Sequence, residues 1–301
     1  MPELPDVTIY CEALAARTVG HRLLSARMLN PFVLRSVEPP VKALEDLRVN
    51  DVRRLGKRIV VCFEGDLFLV IHLMIAGRLL WADGKPKSAR PGGKSTLALF
   101  QFEDGHLLLT EAGSKRRASV NVVQGEKALA VHNPGGLEPL DCSLKEFKQA
   151  LRRENRTLKR ALTNPITFSG IGNAYSDEIL HAARLSPLQL THNLSDEEVK
   201  RLHLATKKTL LQWTNKLRKE FDGKFPGRGQ VTAFRPDFAV HGKFRQPCPV
   251  CGKKVQRISY AENETNYCAQ CQHEGRMLAD RSLSRLLKDD WPKTIEEMEG
   301  G

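Results

Sequence analysis

The chain has 301 residues, 41% hydrophobic and 27% charged, so it can bury a sizeable core and divides naturally into two domains. Lys and Arg outnumber Asp and Glu 47 to 35, giving +12 and a pI near 9.5, a balance that suits a polyanion such as nucleic acid better than an acidic small molecule. The start lacks the basic-then-apolar pattern of a signal peptide, and no apolar run approaches the ~20 residues of a membrane span, which points to the cytoplasm. Nucleic acid is the first reading of the charge balance, with a merely soluble basic protein as the lesser alternative.

The chain opens MPELPD, where Pro2 and Pro5 with Glu3 and Asp6 behind them are too stiff for a disordered leader. Val7, Cys11 and Leu14 recur at helical spacing between Leu4 and Arg17, with Gly20 as a stop, and predict a first helix. From Leu23 to Leu109 the pattern changes to short apolar runs, LLSARML, RIVVCF, LFLVIHLM, RLLWAD, TLALFQF and HLLLTE, divided by glycine-bearing turns. These predict a β-rich domain, sandwich or barrel, continuing through Ala118 to Val131.

The aperiodic stretch HNPGGLEPLDCS, residues 132–143, reads as a linker. Helices follow: Ser143 can cap LKEFKQALRR, and RRENRTLKRAL reads as a Lys- and Arg-rich helix. Ser195 and Glu198 make a capping box ahead of VKRLHLATKKTLLQWTNKLRKE. In FSGIGNAYSDEILHAA, Gly170 and Gly172 precede a helix start whose free N–H groups can receive a phosphate, with Asn173 placed to join them. The same turn can also do no more than reverse the chain. Residues 224–246, rich in Gly, Pro and Arg, read as a long loop followed by a hairpin.

Seven cysteines in a reducing compartment argue against a disulfide framework, so paired spacing reads as metal chemistry. Cys248 and Cys251, then sixteen residues, then Cys268 and Cys271 supply four thiolates from two tight knuckles, as tetrahedral Zn²⁺ requires. All four positions are filled by sulfur, which leaves no place for a reacting water and makes a single structural zinc the expectation. Cys11, Cys62 and Cys142 read as buried thiols. Lys253, Lys254, Arg257 and Arg276 around the ribbon suggest a hairpin aimed at phosphates, or a clamp with incidental charge.

Taken together, MPELPDV, LGKR with HLMIAG, LKRALTNPITFSGIGNAYSDEIL, and CPVCG to YCAQCQ stand in the order found in the bacterial Fpg/Nei DNA glycosylase/lyases, which the chain resembles to about Gln272. The resemblance implies an α+β fold with an N-terminal β-sandwich and flanking helices, a helix–two-turn–helix domain and a zinc ribbon. The corresponding boundaries are 1–135, 136–240 and 241–275, with a tail at 276–301. It further implies base excision repair as a bifunctional DNA glycosylase/AP lyase: an oxidised base is excised through a Schiff base on the N-terminal proline, and the strand is cut by β,δ-elimination. The implied partner is damaged double-stranded DNA, bound by a monomer without a membrane, in the cytoplasm of a bacterium and at the nucleoid when on DNA.

Removal of Met1 would make Pro2 the terminus, and attack of its secondary amine at C1′ displaces the base and leaves an iminium. That cation acidifies the 2′ hydrogens, so one nucleophile serves both cuts. A helix start beside the amine should lower its pKa and enlarge its reactive neutral fraction. Glu3 is placed to shuttle protons at the sugar, by assisting ring opening at O4′. Asp6 matches a family position normally Glu and is expected to cap the helix. The competing reading makes Pro2 and Pro5 helix-start residues, with Glu3 and Asp6 as favourable charges.

By the same resemblance Lys57 contacts the phosphate near the lesion and assists elimination, and His72 and Asn173 grip phosphates. Lys159 and Glu178 match other positions of the DNA-facing and active-site region. The gap left by the everted base, filled in Fpg enzymes by Met, Arg and Phe, corresponds here to Met74 and Ile75, to Arg116, and to Ala118 in place of Phe. The zinc-finger arginine is replaced by Asn263, for which Arg257 or Arg276 are candidate substitutes. These departures leave formamidopyrimidines, oxidised pyrimidines or another lesion open as substrate. They also motivate an alternative, a non-catalytic zinc-ribbon nucleic-acid-binding protein on the same scaffold. The loop 224–236 is a candidate lesion cover, and the basic segment 280–288 either a helix behind the zinc module or an extra DNA contact.

Overall fold

The computed structural model describes residues 1–113, 115–260, 263–279 and 293–300. They fall into two compact units, residues 1–134 with 213–233, and residues 135–212 with 234 onward.

In the first unit, helix α1 (Leu4–Thr18) carries Pro5 in its first turn, where a missing N–H costs nothing. Its buried stripe of Val7, Tyr10, Cys11 and Leu14 joins the main core. Strands β1 (Leu23–Met28), β2 (Val49–Leu55), β3 (Arg58–Phe63), β4 (Leu67–His72), β5 (Gly77–Asp83), β6 (Thr96–Phe102), β7 (Gly105–Glu111) and β8 (Ser119–Gln124) follow. They form two antiparallel four-stranded sheets, ordered β1-β6-β7-β5 and β2-β3-β4-β8. Of the two β architectures the sequence allows, this is the sandwich.

The alternation rule explains why β3 and β4 read as unbroken apolar runs. Ile59, Val61, Leu69 and Ile71 face the core between the sheets. Val60, Cys62, Phe68 and Val70 face the other way, where Leu129 of helix α2 (Glu126–Ala130) covers them. Burial pushes the Cys11 thiol up to about 12 and that of Cys62 up to about 11, as expected of inert packed cysteines.

Residues 213–233 cluster with this unit. Leu217 and Phe221 pack on Ile9, and Arg218 clamps Glu12 through Nε at 3.0 Å and Nη2 at 2.6 Å. Phe225 then lies beside Tyr10 and Trp81, with ring centroids 5.8 and 6.4 Å away.

The second unit is helical with an appended ribbon: α3 (Leu144–Arg152), α4 (Leu158–Thr163), α5 (Asn173–Ala183), the first part of α6 (Asp196–Phe221), β9 (Gln256–Tyr260), β10 (Asn263–Tyr267), α7 (Ala269–His273) and α8 (Ile295–Gly300). The expected cap at Ser143 and the expected capping box at Ser195 both form, the first as a box with Glu146. Ser143 Oγ accepts from Glu146 N at 3.3 Å, and Ser195 Oγ from Glu198 N at 3.2 Å. The single helix expected over RRENRTLKRAL is corrected: α3 ends at Arg152 and α4 begins at Leu158. Between them Thr157 bridges Leu190, while Leu158 N and Lys159 N donate to the carbonyls of Gln189 and Pro187 at 2.9 and 3.1 Å. The neighbouring chain thus satisfies donors that a continuous helix would have used.

The hairpin expected within 224–246 is corrected, since no strand forms there; the hairpin of this unit is β9–β10 in the ribbon, paired from Tyr260↔Asn263 to Gln256↔Tyr267. Ile295 of α8 packs with Tyr267, Ala269 and Leu278, which ties the end of the chain to the ribbon. The segment 280–288 lies outside the described residues. Among those described, no helix is long and apolar enough to cross a membrane.

Candidate active site and metal centre

The start of α1 gathers the groups the first six residues promised. Pro2 and Glu3 are buried, and Glu3 N donates to Asp6 Oδ2 at 3.0 Å in a capping box. Asp6 therefore takes part in capping as the sequence suggested, as the N3 partner of the box, while Glu3 is the N-cap residue itself. Burial lowers the pKa of the Met1 amine; Glu3 opposes the shift, Arg78 adds to it, Asp6 opposes, and Lys57 adds. Two carboxylates and two cations therefore surround the chain terminus, and the neutral, nucleophilic form of the amine gains from dehydration. Arg78 was not singled out from sequence, although it directly follows the glycine of HLMIAG. It is fixed by donating Nε to Val231 O at 2.8 Å and Nη1 to Ile75 O at 3.0 Å.

Lys57 occupies the two-residue turn between β2 and β3, where Gly56 takes φ 63°. A residue with a Cβ is strained at that angle, so the tight hairpin that aims Lys57 depends on its neighbour being glycine. Burial lowers the Lys57 pKa and Glu3 raises it. Across the sheet Arg58 pairs with His72 at the end of β4. Burial pushes His72 down to about 4, aided by Arg58 and Lys57, and the same arginine depresses His132 after burial has done so. Lys57 and Arg58 supply the positive charge here and, with burial, disfavour protonation of the histidines, and an anion bound among these groups would relieve that repulsion. Arg58 was missed from sequence because register, not chain proximity, brings it to His72, and His132 because its interaction with Arg58 spans more than seventy residues.

The β4–β5 turn presents Ile75, which is 57% exposed, while Met74 takes φ 53°. A Cβ on Gly77 would stand 2.2 Å from Leu73 O, so that glycine lets the turn close through the Gly77 N to Leu73 O bond of 2.9 Å. Arg116 is exposed and donates Nη2 to Lys94 O at 3.0 Å. Its loop is anchored by buried Glu111, whose Oε2 accepts from Arg117 N and Ala118 N, both at 2.9 Å. Ala118 itself is buried.

In the second unit α5 is a hub. Asn173 Nδ2 donates to Glu264 O at 2.8 Å, and its own carbonyl accepts Lys159 Nζ at 2.7 Å. Lys159 is buried, and its ammonium also bonds Asp177 Oδ1 at 2.5 Å. Asp177 Oδ2 takes His241 Nδ1 at 2.7 Å and Asn266 N at 3.1 Å. Glu178 accepts the N–H groups of Ala239, Val240 and His241 at 2.7, 2.9 and 2.9 Å, while burial keeps its pKa raised against them. Lys159 and Glu178 thus hold the helix start and the chain before the ribbon. Asp177 and His241 escaped sequence reasoning because their partners lie tens of residues away.

The four cysteine Sγ atoms of Cys248, Cys251, Cys268 and Cys271 lie within 4.8 Å of one another, with Cys248 to Cys271 at 3.9 Å and Cys251 to Cys268 at 3.4 Å. Sulfurs held tetrahedrally about 2.3 Å from a zinc ion are separated by about 3.8 Å. The set fits one structural Zn²⁺, which when bound would staple the ribbon. His181 Nε2 lies 3.3 Å from Cys248 Sγ, and Gln272 Nε2 donates to Leu185 O at 2.9 Å, so α5 and the segment after it secure both knuckles. Arg257 stacks 4.3 Å from the Phe244 ring centroid and lies 3.4 Å from Glu264; Arg276 pairs with Glu274 at 2.9 Å. Both arginines are largely exposed, and the side chain of Asn263 lies outside the described set.

Three family models match the chain: the formamidopyrimidine-DNA glycosylase N-terminal domain over residues 1–117, the formamidopyrimidine-DNA glycosylase H2TH domain over 136–217, and the zinc finger found in FPG and IleRS over 245–273. Formamidopyrimidine-DNA glycosylase of Heliobacterium modesticaldum is 31% identical over 278 residues, covering 90% of this chain and all of the relative. That of Desulforamulus reducens is 30% identical over 283 residues, covering 90% and 99%. The crystal structure of Lactococcus lactis FPG (MutM) with DNA containing FAPY-dG superposes with a TM-score of 0.78 at 25% identity, over 90% of this chain and all of the other.

Proposed function

The chain belongs to the formamidopyrimidine-DNA glycosylase family, and from that membership we propose how its own residues perform bifunctional DNA glycosylase/AP lyase chemistry in base excision repair. The observation that carries the reading is the start of α1, where Pro2 and Glu3 are buried and the chain terminus lies in the electrostatic company of Glu3 and Lys57. Once Met1 is removed, the Pro2 nitrogen attacks C1′ and the glycosidic electrons leave with the base. Glu3 supplies the proton that O4′ needs as the sugar ring opens to the iminium. Loss of a 2′ proton into that electron sink expels the 3′ phosphate, and the second elimination expels the 5′ phosphate. Lys57 with Arg58 and His72 accepts the phosphate flanking the lesion.

Asn173 at the head of α5 contributes a further phosphate contact, with Lys159 fixing the carbonyl behind it. Arg257 and Arg276 supply cations at the ribbon. Residues 1–135 act as the catalytic domain, 136–240 as the helix–two-turn–helix domain and 241–275 as the zinc finger. The substrate is damaged duplex DNA, bound by a monomer in the cytoplasm.

Borohydride added to the processed protein with an abasic-site duplex should trap a covalent complex. Pro2→Gly and a form that retains Met1 should lose most of it. Failure to trap with any abasic or oxidised-base duplex would reject the enzyme reading in favour of plain nucleic-acid binding.

A further inference from the structure

One surface of the first unit is used neither by the terminus nor by the cation cluster. A groove of about 500 Å³ is lined by Asn30, Phe32, Arg35, Gly113 and Arg116. Phe32 is 78% exposed while its neighbour Val33 is 2% exposed, so the turn buries the small side chain and presents the large one. A lone exposed aromatic means little; its setting gives this one meaning.

The turn is fixed at both ends. Leu29 N and Asn30 N both donate to Leu97 O, at 2.8 and 3.0 Å, and Asn30 Oδ1 caps the turn by accepting from Phe32 N at 3.0 Å. Beyond it, Leu34 forms a parallel bridge with Val120, and Arg35 N donates to Val120 O at 2.8 Å. That bridge ties the Phe32 turn to the start of β8, two residues after Ala118. The opposite wall is held by the bonds of Arg116 to Lys94 O and of Glu111 to the Arg117 and Ala118 amides.

An aromatic face beside two guanidinium groups and an amide, with no carboxylate in the lining, is the chemistry that stacks a nucleobase and donates to its acceptor edge. In a duplex with one base removed, the base across from the gap has a free face and unpaired acceptors. We propose that this groove binds that unpaired base, with Phe32 stacking on it and Arg35, Arg116 and the Asn30 amide donating to its edge. The proposal rests on the DNA reading above and adds a determinant of which opposite base is tolerated. The aromatic absent at position 118 is thereby supplied from position 32.

The test uses the full chain and a duplex carrying a tetrahydrofuran abasic analogue with 2-aminopurine opposite it. Binding should change the 2-aminopurine emission. Phe32→Ala should abolish that change and weaken this complex about 10-fold, while affinity for undamaged duplex and borohydride trapping at a natural abasic site persist. Phe32→Tyr, which keeps the ring on the same exposed turn, should restore the signal. The inference is overturned if Phe32→Ala matches wild type in emission and affinity, or if a Phe32-dependent signal comes only from 2-aminopurine beside the gap on the lesion strand. Normal trapping with no Phe32 effect sinks the groove alone; a wild type that binds no duplex sinks the DNA reading with it.

Discussion

Among the described residues, two helices carry buried carboxylates, α1 at its start and α5 in its second turn, and they do different work. At α1, Glu3 and Asp6 flank the chain terminus beside Lys57 and Arg78. At α5, Asp177 and Glu178 are saturated: the first binds Lys159, His241 and Asn266 N, and the second takes three consecutive backbone N–H groups. A buried acid marks a reactive site only when a group capable of chemistry stands with it. When its neighbours are spent on holding other chain segments, it is an anchor.

That contrast can be broken or sharpened by substitution. The largest effect is expected at the metal. Cys268→Ser, or removal of zinc by a chelator, should release the ribbon and abolish DNA binding, because zinc binding to such four-ligand modules supplies about 10–16 kcal/mol of their folding energy. Zinc content and circular dichroism before and after chelation check this, and an unaltered fold without zinc would contradict it.

At α1 the cost should fall on activity. Pro2→Gly is expected to reduce base release by about 10³-fold or more, and Glu3→Gln by about 10²–10⁴-fold, with thermal midpoints little changed. At α5 the cost should fall on stability. Asp177→Ala leaves the Lys159 ammonium buried without its carboxylate and should cost about 3–5 kcal/mol, read as a lower urea midpoint. Trapping per folded molecule should survive. A variant pair with these effects exchanged would erase the distinction.

The smallest expected effect is in pH. His72 has a folded pKa of about 4, below the ordinary 6.5, so between those values the unfolded chain binds the extra proton. Stability should therefore fall as pH drops from about 6.5 toward 4, by at most about 1.4 kcal/mol per pH unit for this group. His72→Gln should flatten that stretch of the profile. A bound phosphate should raise the His72 pKa, observable by NMR titration with and without duplex.

Much of this was legible in the sequence because its signals are local. The proline start of α1, the capping pairs Ser143–Glu146 and Ser195–Glu198, and the four-cysteine spacing each fit within a few turns of chain. The sheet order β1-β6-β7-β5 was not legible, since its central strands β6 and β7, buried on both faces, share one apolar pattern that names no neighbour. Nor was the break between α3 and α4, where residues 187–191 win the backbone donors of 156–159. The assignment of 213–233 to the first unit depends on Leu217 and Phe221 meeting Ile9, about which a helical period is silent. Phe32 carries no local signal in the sequence, because it is the fold that lines one groove with it and Arg116.

The central claim is that the terminal proline, not a lysine, is the nucleophile. It is tested most directly by locating the bond. The borohydride-trapped complex with an abasic duplex is digested with nuclease and trypsin, and the sugar remnant is mapped by mass spectrometry. The account predicts the remnant on the Pro2 nitrogen of the peptide spanning residues 2–17; a remnant on Lys57 with an unmodified Pro2 peptide would contradict it.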